Sequence, residues 1–468
     1  MPPNADMGAG CVSLTLPPHS TIVFRHPPGP RHGEDHSGQD KTILATRPRY
    51  NGTTEGVSLP RHIGERHARR LTIMHMETVK EQWHSARRRI LYVCGARPNF
   101  MKVAPILRAL ETDSPHWDSL GGVAHALVHT GQHYDFNMSE VFFQDLKLPK
   151  PDVHLDVGSG SHAEQTSLVM SRLDPVLEEL QPTLVIVVGD VNSTLAGALT
   201  AVKRGIPVAH IEAGLRSGDR TMPEEINRLA TDAISDYLFT PSLDADANLL
   251  REGASEERVF RVGNLMIDSL VHCLPAAERS PILKRLRLRG TGRSETTRYV
   301  LVTLHRPGNV DVAERFRLTV DALLALSEDT MVIWPIHPRT RARIETFGLA
   351  QHLESCSGRM VLIQPLGYVD FLALEQRAAL VITDSGGIQE ETTYLGVPCL
   401  TVRDNTERPI TITHGTNQLV SAGTLGISQA ASARLRTSSV PRNPIPLWDG
   451  HAAERVVHVL RQLASRRA

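Results

Sequence analysis

The chain has 468 residues and a hydrophobic fraction of 41%, which at roughly 150 residues per domain predicts two or three domains with substantial cores. Its 51 basic and 51 acidic side chains cancel, and its apolar runs, such as Leu184–Val188, are only as long as a strand. We therefore expect neither a nucleic-acid partner nor a membrane span, which would need about 20 apolar residues. The 5 scattered cysteines form no CxxC pair, which favours reduced thiols in a cytoplasmic protein.

Residues 1–88 differ in composition from the rest of the chain. They hold 8 of the 22 histidines, and 12 basic residues against 8 acidic ones. Residues 27–40 contain almost no apolar side chain, which is typical of disorder. The apolar patch at residues 11–16 is too short for a signal peptide. We predict a disordered N-terminal extension, or a start codon assigned too far upstream, for which Met74 or Met76 would be a better start.

From Arg89 onward, short apolar runs alternate with stretches of helical pattern. A first helix is predicted to end at Leu110, and another covers Glu225–Ser235. The predicted strands are Ile90–Cys94, Val123–His129, Leu184–Val188, Ile206–Ile211 and Tyr237–Thr240. Strands separated by helices are typical of a parallel sheet that is buried on both faces. Residues 89–272 are therefore predicted to form an N-terminal Rossmann-like domain.

A second set of strands follows a linker, predicted at residues 273–297, that is rich in Arg, Ser and Gly. These strands are Tyr299–Leu304, Met331–Pro335, Val361–Ile363, Leu380–Thr383 and Pro398–Val402. Residues 298–468 are predicted to form a C-terminal domain of the same design. The amphipathic stretch Ala452–Ala464 predicts a last helix, which can pack back on the N-terminal domain. The predicted fold class is α/β, with two doubly wound domains that face a cleft.

Polar residues follow nearly every predicted strand. They are Arg97, Gly131-Gln132-His133, Asp190, Glu212, His305, His337 and Asp384-Ser385-Gly386-Gly387. Ligands of open parallel sheets bind beyond the carboxyl ends of the strands, so these side chains should line one cleft. Any one of them alone would usually be a cap or a turn former, but together they favour a functional site.

The segment 384–391 has features that suit an anion. Two glycines, Gly386 and Gly387, let the backbone approach a ligand closely. Ser385 can cap the next helix, whose free N–H groups favour an anion, and Glu391 can accept hydrogen bonds from sugar hydroxyls. An ordinary strand-to-helix turn is the alternative interpretation. Neither this segment nor residues 95–100 match the dinucleotide-binding GxGxxG pattern, so a nicotinamide cofactor is disfavoured.

Several carboxylates are predicted to meet in this cleft. Two adjacent glutamates, Glu224 and Glu225, begin a helix, and helix-start chemistry explains only one of them. Glu212 directly follows a strand, and crowding with Asp190 would raise the pKa of either group, which suits acid–base catalysis. His305 would face them from the second domain, although a lone histidine at a strand end is more often structural. We predict no metal site, since no metal-ligand motif such as HExxH is present.

The chain from about Arg89 to its end resembles the non-hydrolysing UDP-N-acetylglucosamine 2-epimerases. The matching segments are residues 95–102, 130–134, 189–190, 210–216, 223–228, 263–264, 304–306, 335–338 and 383–391. The resemblance implies a GT-B-like fold and a homodimer that interconverts UDP-GlcNAc and UDP-ManNAc for envelope polysaccharide synthesis, without metal or nicotinamide. In that family UDP is eliminated between C1 and C2, which leaves 2-acetamidoglucal, and is then added back with the opposite configuration at C2.

The resemblance also implies a role for individual residues. The implied catalytic residues are Asp190, Glu212, Glu224 and His305. The implied substrate contacts are Arg97, Lys102, Arg228, Leu366, Phe371, Ser385, Gly386, Gly387 and Glu391. A second UDP-GlcNAc site, which activates some bacterial members, is matched by Gln132, His133 and His337.

The sequence departs from the family pattern at three places. The loop after Arg216 is shorter than in better-known members, which makes Glu225 an alternative to Glu224. Gly308 stands where a carboxylate is common, and Asp135 stands where the activator site has a longer polar residue. Three other functions stay open: a hydrolysing epimerase that releases ManNAc and UDP, a GT-B glycosyltransferase, and a UDP-sugar sensor without catalysis.

Overall fold

The computed structural model describes residues 82–131, 148–288, 297–354, 359–422, 424–436 and 444–466. The predictions for residues 1–81, and those for Gln132, His133 and Asp135, lie outside these ranges. Within them, the chain forms two sheets in which all paired strands are parallel. No helix in the described ranges is both long enough and apolar enough to cross a membrane.

The first sheet has seven strands in the order β3-β2-β1-β4-β5-β6-β7. They are β1 (Arg88–Cys94), β2 (Val123–His129), β3 (Val153–His154), β4 (Leu184–Val188), β5 (Val208–Ile211), β6 (Tyr237–Thr240) and β7 (Val259–Arg261). The helices of this half are α1 (Arg97–Thr112), α2 (Ser114–Asp118), α3 (His162–Leu180), α4 (Asn192–Lys203), α5 (Pro223–Ile234) and α6 (Leu243–Arg251). The strand order reverses between β1 and β4, which is where doubly wound sheets bind their ligands.

Two helices connect the first sheet to the second, namely α7 (Leu265–Arg279) and α8 (Ile282–Arg285). The second sheet has six strands in the order β10-β9-β8-β11-β12-β13. They are β8 (Tyr299–Thr303), β9 (Met331–Pro335), β10 (Met360–Ile363), β11 (Leu380–Thr383), β12 (Cys399–Val402) and β13 (Asn417–Val420). Its helices are α9 (Pro307–Val310), α10 (Ala313–Ser327), α11 (Pro338–Thr346), α12 (Ala350–Glu354), α13 (Tyr368–Glu375), α14 (Gly386–Leu395), α15 (Ile410–Thr413) and α16 (Thr424–Arg436), followed by the last helix, α17 (Ala452–Arg466).

Each central strand is buried on both faces, because successive side chains point to opposite sides of a sheet. In β1, Tyr92 and Cys94 pack in the same cluster as side chains of α1. Leu91 and Val93 pack on the other face, with side chains of α3 and α4. Helices therefore cover both faces, which explains the continuous apolar runs and confirms the predicted α/β class with doubly wound parallel sheets.

One apolar cluster extends from the first sheet to the second. The helix α7 contributes Leu270 to it, α13 contributes Leu372 and α17 contributes Val456. The last helix also bonds to the first half of the chain, since Arg461 pairs with Asp113 at 2.7 Å. The domain boundaries at residues 89–272, 273–297 and 298–468 stay predictions, and α7 continues into the first part of the predicted linker.

Candidate active site

The carboxyl ends of the two sheets meet at a buried ion pair. Arg408, which follows β12 in the second sheet, donates from Nη2 to Oε1 of Glu212, which follows β5 in the first sheet, at 2.9 Å. Only 9% and 8% of these two side chains are exposed. The structure thus brings together residues that are 196 positions apart in the chain.

Glu212 is held as a carboxylate by two cations. Lys102 from α1 pairs with its Oε2, and Arg408 pairs with its Oε1. Although burial favours the neutral acid, the charges of Lys102 and Arg408 hold the pKa of Glu212 below its usual value. Its backbone is left-handed, with φ of 71°, a conformation that costs a residue other than glycine about 1–3 kcal/mol. Strain of this size is common where a side chain must be aimed at a ligand.

Asp190 has the opposite electrostatic setting. It follows the left-handed Gly189, and its side chain is 31% exposed and pairs with Arg228. Burial raises the pKa of Asp190; Arg228 opposes this rise and the neighbouring Glu212 adds to it. A β-carbon at Gly189 would lie 3.4 Å from Oε2 of Glu212, so the two turns touch. Neighbouring carboxylates with pKa values pushed apart are typical of an acid–base pair.

The two glutamates at the start of α5 have different surroundings. Glu225 is buried and accepts hydrogen bonds from Ser217 N at 3.0 Å and Gly218 N at 2.9 Å. It also pairs with Arg228 at 2.8 Å, so Glu225 holds the preceding loop. Glu224 is half-buried and lies near Arg306 of the second sheet. Burial lowers the pKa of Arg306, and the negative charge of Glu224 partly offsets that effect. This arrangement favours Glu224 as the glutamate that a ligand can reach.

His305 follows β8 and is oriented by a buried carboxylate. Asp384, which follows β11, is fully buried and accepts N–H groups of the His305 backbone at 3.0 Å and the Arg306 backbone at 2.9 Å. Its Oδ1 lies 3.2 Å from Nδ1 of His305, which favours the tautomer that carries its proton on Nδ1 and directs Nε2 away from Asp384. The His337 ring lies 5.2 Å from the His305 ring, centroid to centroid. The structure therefore places this predicted activator-site residue beside the predicted catalytic histidine.

The start of α14 has features that suit an anion. Ser385 occupies the N-cap position, although its side chain makes no capping hydrogen bond, and the positive end of a helix dipole attracts anions. A β-carbon at Gly386 would lie 2.5 Å from Nη1 of Arg408 and 2.8 Å from Oε1 of Glu407, so any side chain at this position would have to displace that guanidinium. Burial opposes the charge on Arg408, but Glu390, Glu407 and Glu212 raise its pKa. A cation thus lies directly against the glycine loop.

Glu391, on the same helix, is buried and accepts a hydrogen bond from Tyr368 Oη at 3.0 Å. Burial raises the pKa of Glu391 to about 7, against the lowering effect of hydrogen bonds from its neighbours and of the Arg97 charge. Arg97 itself is exposed at the start of α1. The half-buried Leu366 and Phe371 pack against the same apolar cluster as α13, so the predicted nucleoside contacts lie in and before that helix.

Sequence reasoning missed two side chains that organise this site. Arg408 has no motif, and its only signal is the charged pair Glu407-Arg408 that precedes a proline at a helix start. Asp384 was expected at the strand end, but the sequence did not indicate that it orients His305. A third buried group, His210 with Asp232, lies behind the first-sheet carboxylates and also lacked a predicted role.

The fold and the site define a protein of the α/β class in which carboxylates and cations meet between two parallel sheets. The sequence model described as UDP-N-acetylglucosamine 2-epimerase matches residues 118–461. The UDP-N-acetylglucosamine 2-epimerase of Methanocaldococcus jannaschii is 43% identical over 370 residues, which cover 79% of this chain and 97% of that protein. The UDP-2,3-diacetamido-2,3-dideoxy-D-glucuronate 2-epimerase of Pseudomonas aeruginosa is 39% identical over 379 residues, covering 80% and 100%.

A crystal structure of the Methanocaldococcus jannaschii UDP-GlcNAc 2-epimerase in complex with UDP-GlcNAc and UDP has the same fold. Its TM-score is 0.72 at 42% identity, and the match covers 80% of this chain and 99% of that chain. The chain belongs to the UDP-N-acetylglucosamine 2-epimerase family. The predicted GT-B-like arrangement of two sheets is thereby confirmed.

Proposed function

We propose that this enzyme interconverts UDP-GlcNAc and UDP-ManNAc by elimination and re-addition of UDP, without hydrolysis. The observation that carries the proposal is the contact between the Asp190 and Glu212 turns, whose carboxylates have opposite electrostatic settings and face an anion site on the second sheet. The UDP-GlcNAc and UDP in the Methanocaldococcus jannaschii structure support the same ligand here.

The second sheet is proposed to hold UDP. The helix start at Ser385 and Gly386, together with Arg408, provides N–H groups and a cation for the diphosphate. Glu391 would accept the ribose hydroxyls, and Leu366 and Phe371 would contact the uracil. Arg97, Lys102 and Arg228 stand on the first-sheet side, where the sugar would lie.

Elimination needs a base at C2 and stabilisation of the leaving UDP. Glu212, held ionised by its two cations, takes the C2 proton; the C–H electron pair forms the C1–C2 double bond, and the C1–O bond breaks with its electron pair on UDP. When a diphosphate attracts Arg408, Glu212 loses one of these cations and becomes a stronger base. His305 and the helix start stabilise the charge that develops on the leaving oxygen.

Re-addition delivers a proton to the opposite face of C2. Asp190 suits this step because burial raises its pKa, which makes it easier to protonate than an exposed aspartate. The electron pair of the C1–C2 double bond forms the new bond between C2 and the Asp190 proton. A β-phosphate oxygen of UDP then supplies the electron pair for the new bond to C1. One turnover leaves Glu212 protonated and Asp190 ionised; the reverse turnover, or proton exchange with water, restores the starting state. Glu224 would assist from the start of α5.

A second candidate substrate is UDP-2,3-diacetamido-2,3-dideoxy-D-glucuronate. The Pseudomonas aeruginosa epimerase named for that compound is matched over the whole of its own length, at 39% identity, by 80% of this chain. Inversion at C2 would use the same carboxylates. A homodimer, a cytoplasmic location and a role in envelope polysaccharide synthesis stay predictions.

The proposal is tested by incubating the protein with UDP-GlcNAc in D2O, without added metal or nicotinamide, and following proton NMR. We expect UDP-ManNAc with deuterium at C2. Free ManNAc and UDP would instead identify the hydrolysing reaction. Turnover of the diacetamido-glucuronate substrate alone would establish the second candidate, and an unchanged spectrum with both substrates would refute the epimerase proposal. The Glu212→Gln variant is the inactive control.

A further inference from the structure

His210 is fully buried on β5, two residues before Glu212. Its Nδ1 lies 2.6 Å from Oδ1 of Asp232, and its Nε2 lies 2.7 Å from the main-chain oxygen of Gly189. Because the Asp232 carboxylate and the Gly189 carbonyl are both acceptors, each ring nitrogen is placed to donate a hydrogen bond. The geometry therefore ties one imidazole ring to a carboxylate on one side and to the backbone on the other.

Asp232, on α5, contacts the chain on both sides of Glu212. It pairs with His210 before the glutamate and accepts the Gly214 N–H after it at 3.1 Å. It also pairs with Arg216 at 2.7 Å. Burial opposes ionisation of Asp232, but His210 and Arg216 hold its pKa below the usual value. One carboxylate thus fixes the strained turn that carries Glu212.

The Nε2 side of the His210 ring contacts the turn that carries Asp190. Gly189, whose carbonyl accepts from His210, immediately precedes Asp190 and has a left-handed backbone with φ of 71°. The Asp190 carbonyl is held in turn by the Asn227 side chain at 2.9 Å. The His210–Asp232 pair is therefore bonded to the backbone beside both Asp190 and Glu212.

We propose that the His210–Asp232 pair is a positioning device that sets the spacing between Asp190 and Glu212, and with it the balance of proton transfer on the two faces of C2. This inference rests on the proposed epimerase function. Neither side chain contacts the site of reaction, so both are positioning residues. The separation matters because a misplacement of about 1 Å at a reacting group can reduce a rate 100-fold.

The first test uses the His210→Gln variant in D2O with UDP-GlcNAc. A glutamine can still donate to Gly189, but it presents its oxygen to Asp232 and so loses that hydrogen bond. We expect a fall in kcat of about 10–100-fold, and a changed ratio of C2 deuterium in recovered UDP-GlcNAc to that in UDP-ManNAc. The dissociation constant for UDP should stay within about twofold, because the nucleotide groups belong to the second sheet.

His125→Gln is the matched control, since it makes the same substitution near the amino end of β2 in the same sheet. Its kcat, deuterium ratio and UDP affinity should equal those of the wild type. A merely structural effect at His210 would reduce the amount of active enzyme but leave the deuterium ratio unchanged. A wild-type ratio in His210→Gln, or an equal loss of UDP affinity and kcat, would overturn the proposal.

A second measurement needs no variant to fold. In wild-type protein labelled with ¹⁵N-histidine, both ring nitrogens of His210 should carry hydrogen-bonded protons that exchange slowly with solvent, because the ring is fully buried between its two acceptors. A His210 ring that lacks either hydrogen bond would overturn the inference. If the wild type does not convert UDP-GlcNAc, the proposed function is refuted. The ring signals of His210 do not depend on the reaction, so they still test whether His210 is bonded to both Asp232 and Gly189.

Discussion

The buried carboxyls Glu391 and Glu375 predict that the free protein loses stability as pH rises. Burial raises the pKa of Glu391 to about 7. Burial and the neighbouring Glu391 raise the pKa of Glu375 well above its ordinary range. In the unfolded chain, both groups ionise at about pH 4.3. Between the two pKa values the folded state binds more protons than the unfolded state, so the free energy of unfolding falls as pH increases.

The perturbation is Glu391→Gln, which removes this titration and keeps the shape of the side chain. Linkage between an unfolded pKa of about 4.3 and a folded pKa of about 7 lowers the free energy of unfolding of the wild type by ~2 kcal/mol from about pH 5.5 to pH 8. Over the same interval, the free energy of unfolding of the variant should fall by at least that much less. Glu375 still titrates in the variant, but without Glu391 beside it the pKa of Glu375 is less raised, so its loss over this interval is also smaller and adds to the difference.

Urea unfolding of both proteins at the two pH values measures the difference. Glu345→Gln, at an exposed position on α11, is the control and should follow the wild type. If the free energy of unfolding of the wild type minus that of Glu391→Gln falls by less than about 0.5 kcal/mol between the two pH values, or rises, the reasoning on Glu391 is refuted. UDP affinity should show the opposite trend and rise with pH, since an ionised Glu391 accepts ribose hydroxyls better.

Three further predictions concern the candidate site. Asp190→Asn should lower turnover about 10²–10⁴-fold in the D2O assay with unchanged UDP affinity, whereas an undiminished rate would contradict its role. Gly386→Ala places a methyl group 2.5 Å from a guanidinium nitrogen, so calorimetry should show at least about tenfold weaker UDP binding. Gly308→Ala is the control: a β-carbon at Gly308 would meet no atom of a neighbouring group within 4 Å, so this variant should bind UDP like the wild type. Glu225→Gln should lower the unfolding free energy by about 1–3 kcal/mol because it weakens buried hydrogen bonds. Glu224→Gln should lower turnover but not the melting temperature. The reverse pattern would show that Glu225 acts in the reaction and that Glu224 has the structural role.

The apolar strands were predictable because a buried parallel strand needs a continuous apolar run. Two starts were placed too early, since the predicted strands included Pro207 and Pro398, whereas β5 begins at Val208 and β12 at Cys399. A proline has no N–H to donate to a neighbouring strand. The strands β3, β7 and β13 were missed, because they are only two to four residues long and occupy edge positions that local pattern does not specify.

The site was predictable to the extent that strand ends indicate position. Topology alone brings Asp190 and Glu212 to one edge, because their strands β4 and β5 are neighbours. The partners of Glu212 and His305 were not predictable. Arg408 reaches Glu212 from the other sheet, so that pair depends on how the two sheets pack against one core. Asp384 reaches His305 across 79 residues because β11 pairs with β8 in the same sheet, and no local spacing records either arrangement.

Under the proposed function, the division of charge between the sheets would let one site both release and recapture UDP. The groups suited to a diphosphate lie on the second sheet, and the carboxylates proposed to transfer the proton lie on the first. Arg408 connects them, since it contacts Glu212 and also covers Gly386. A diphosphate at the helix start competes with Glu212 for the same guanidinium, so ligand binding and base strength are electrostatically coupled. Under the proposed function, Glu212 would be most basic when a diphosphate attracts Arg408 away from it, and in the structure it is paired with Arg408.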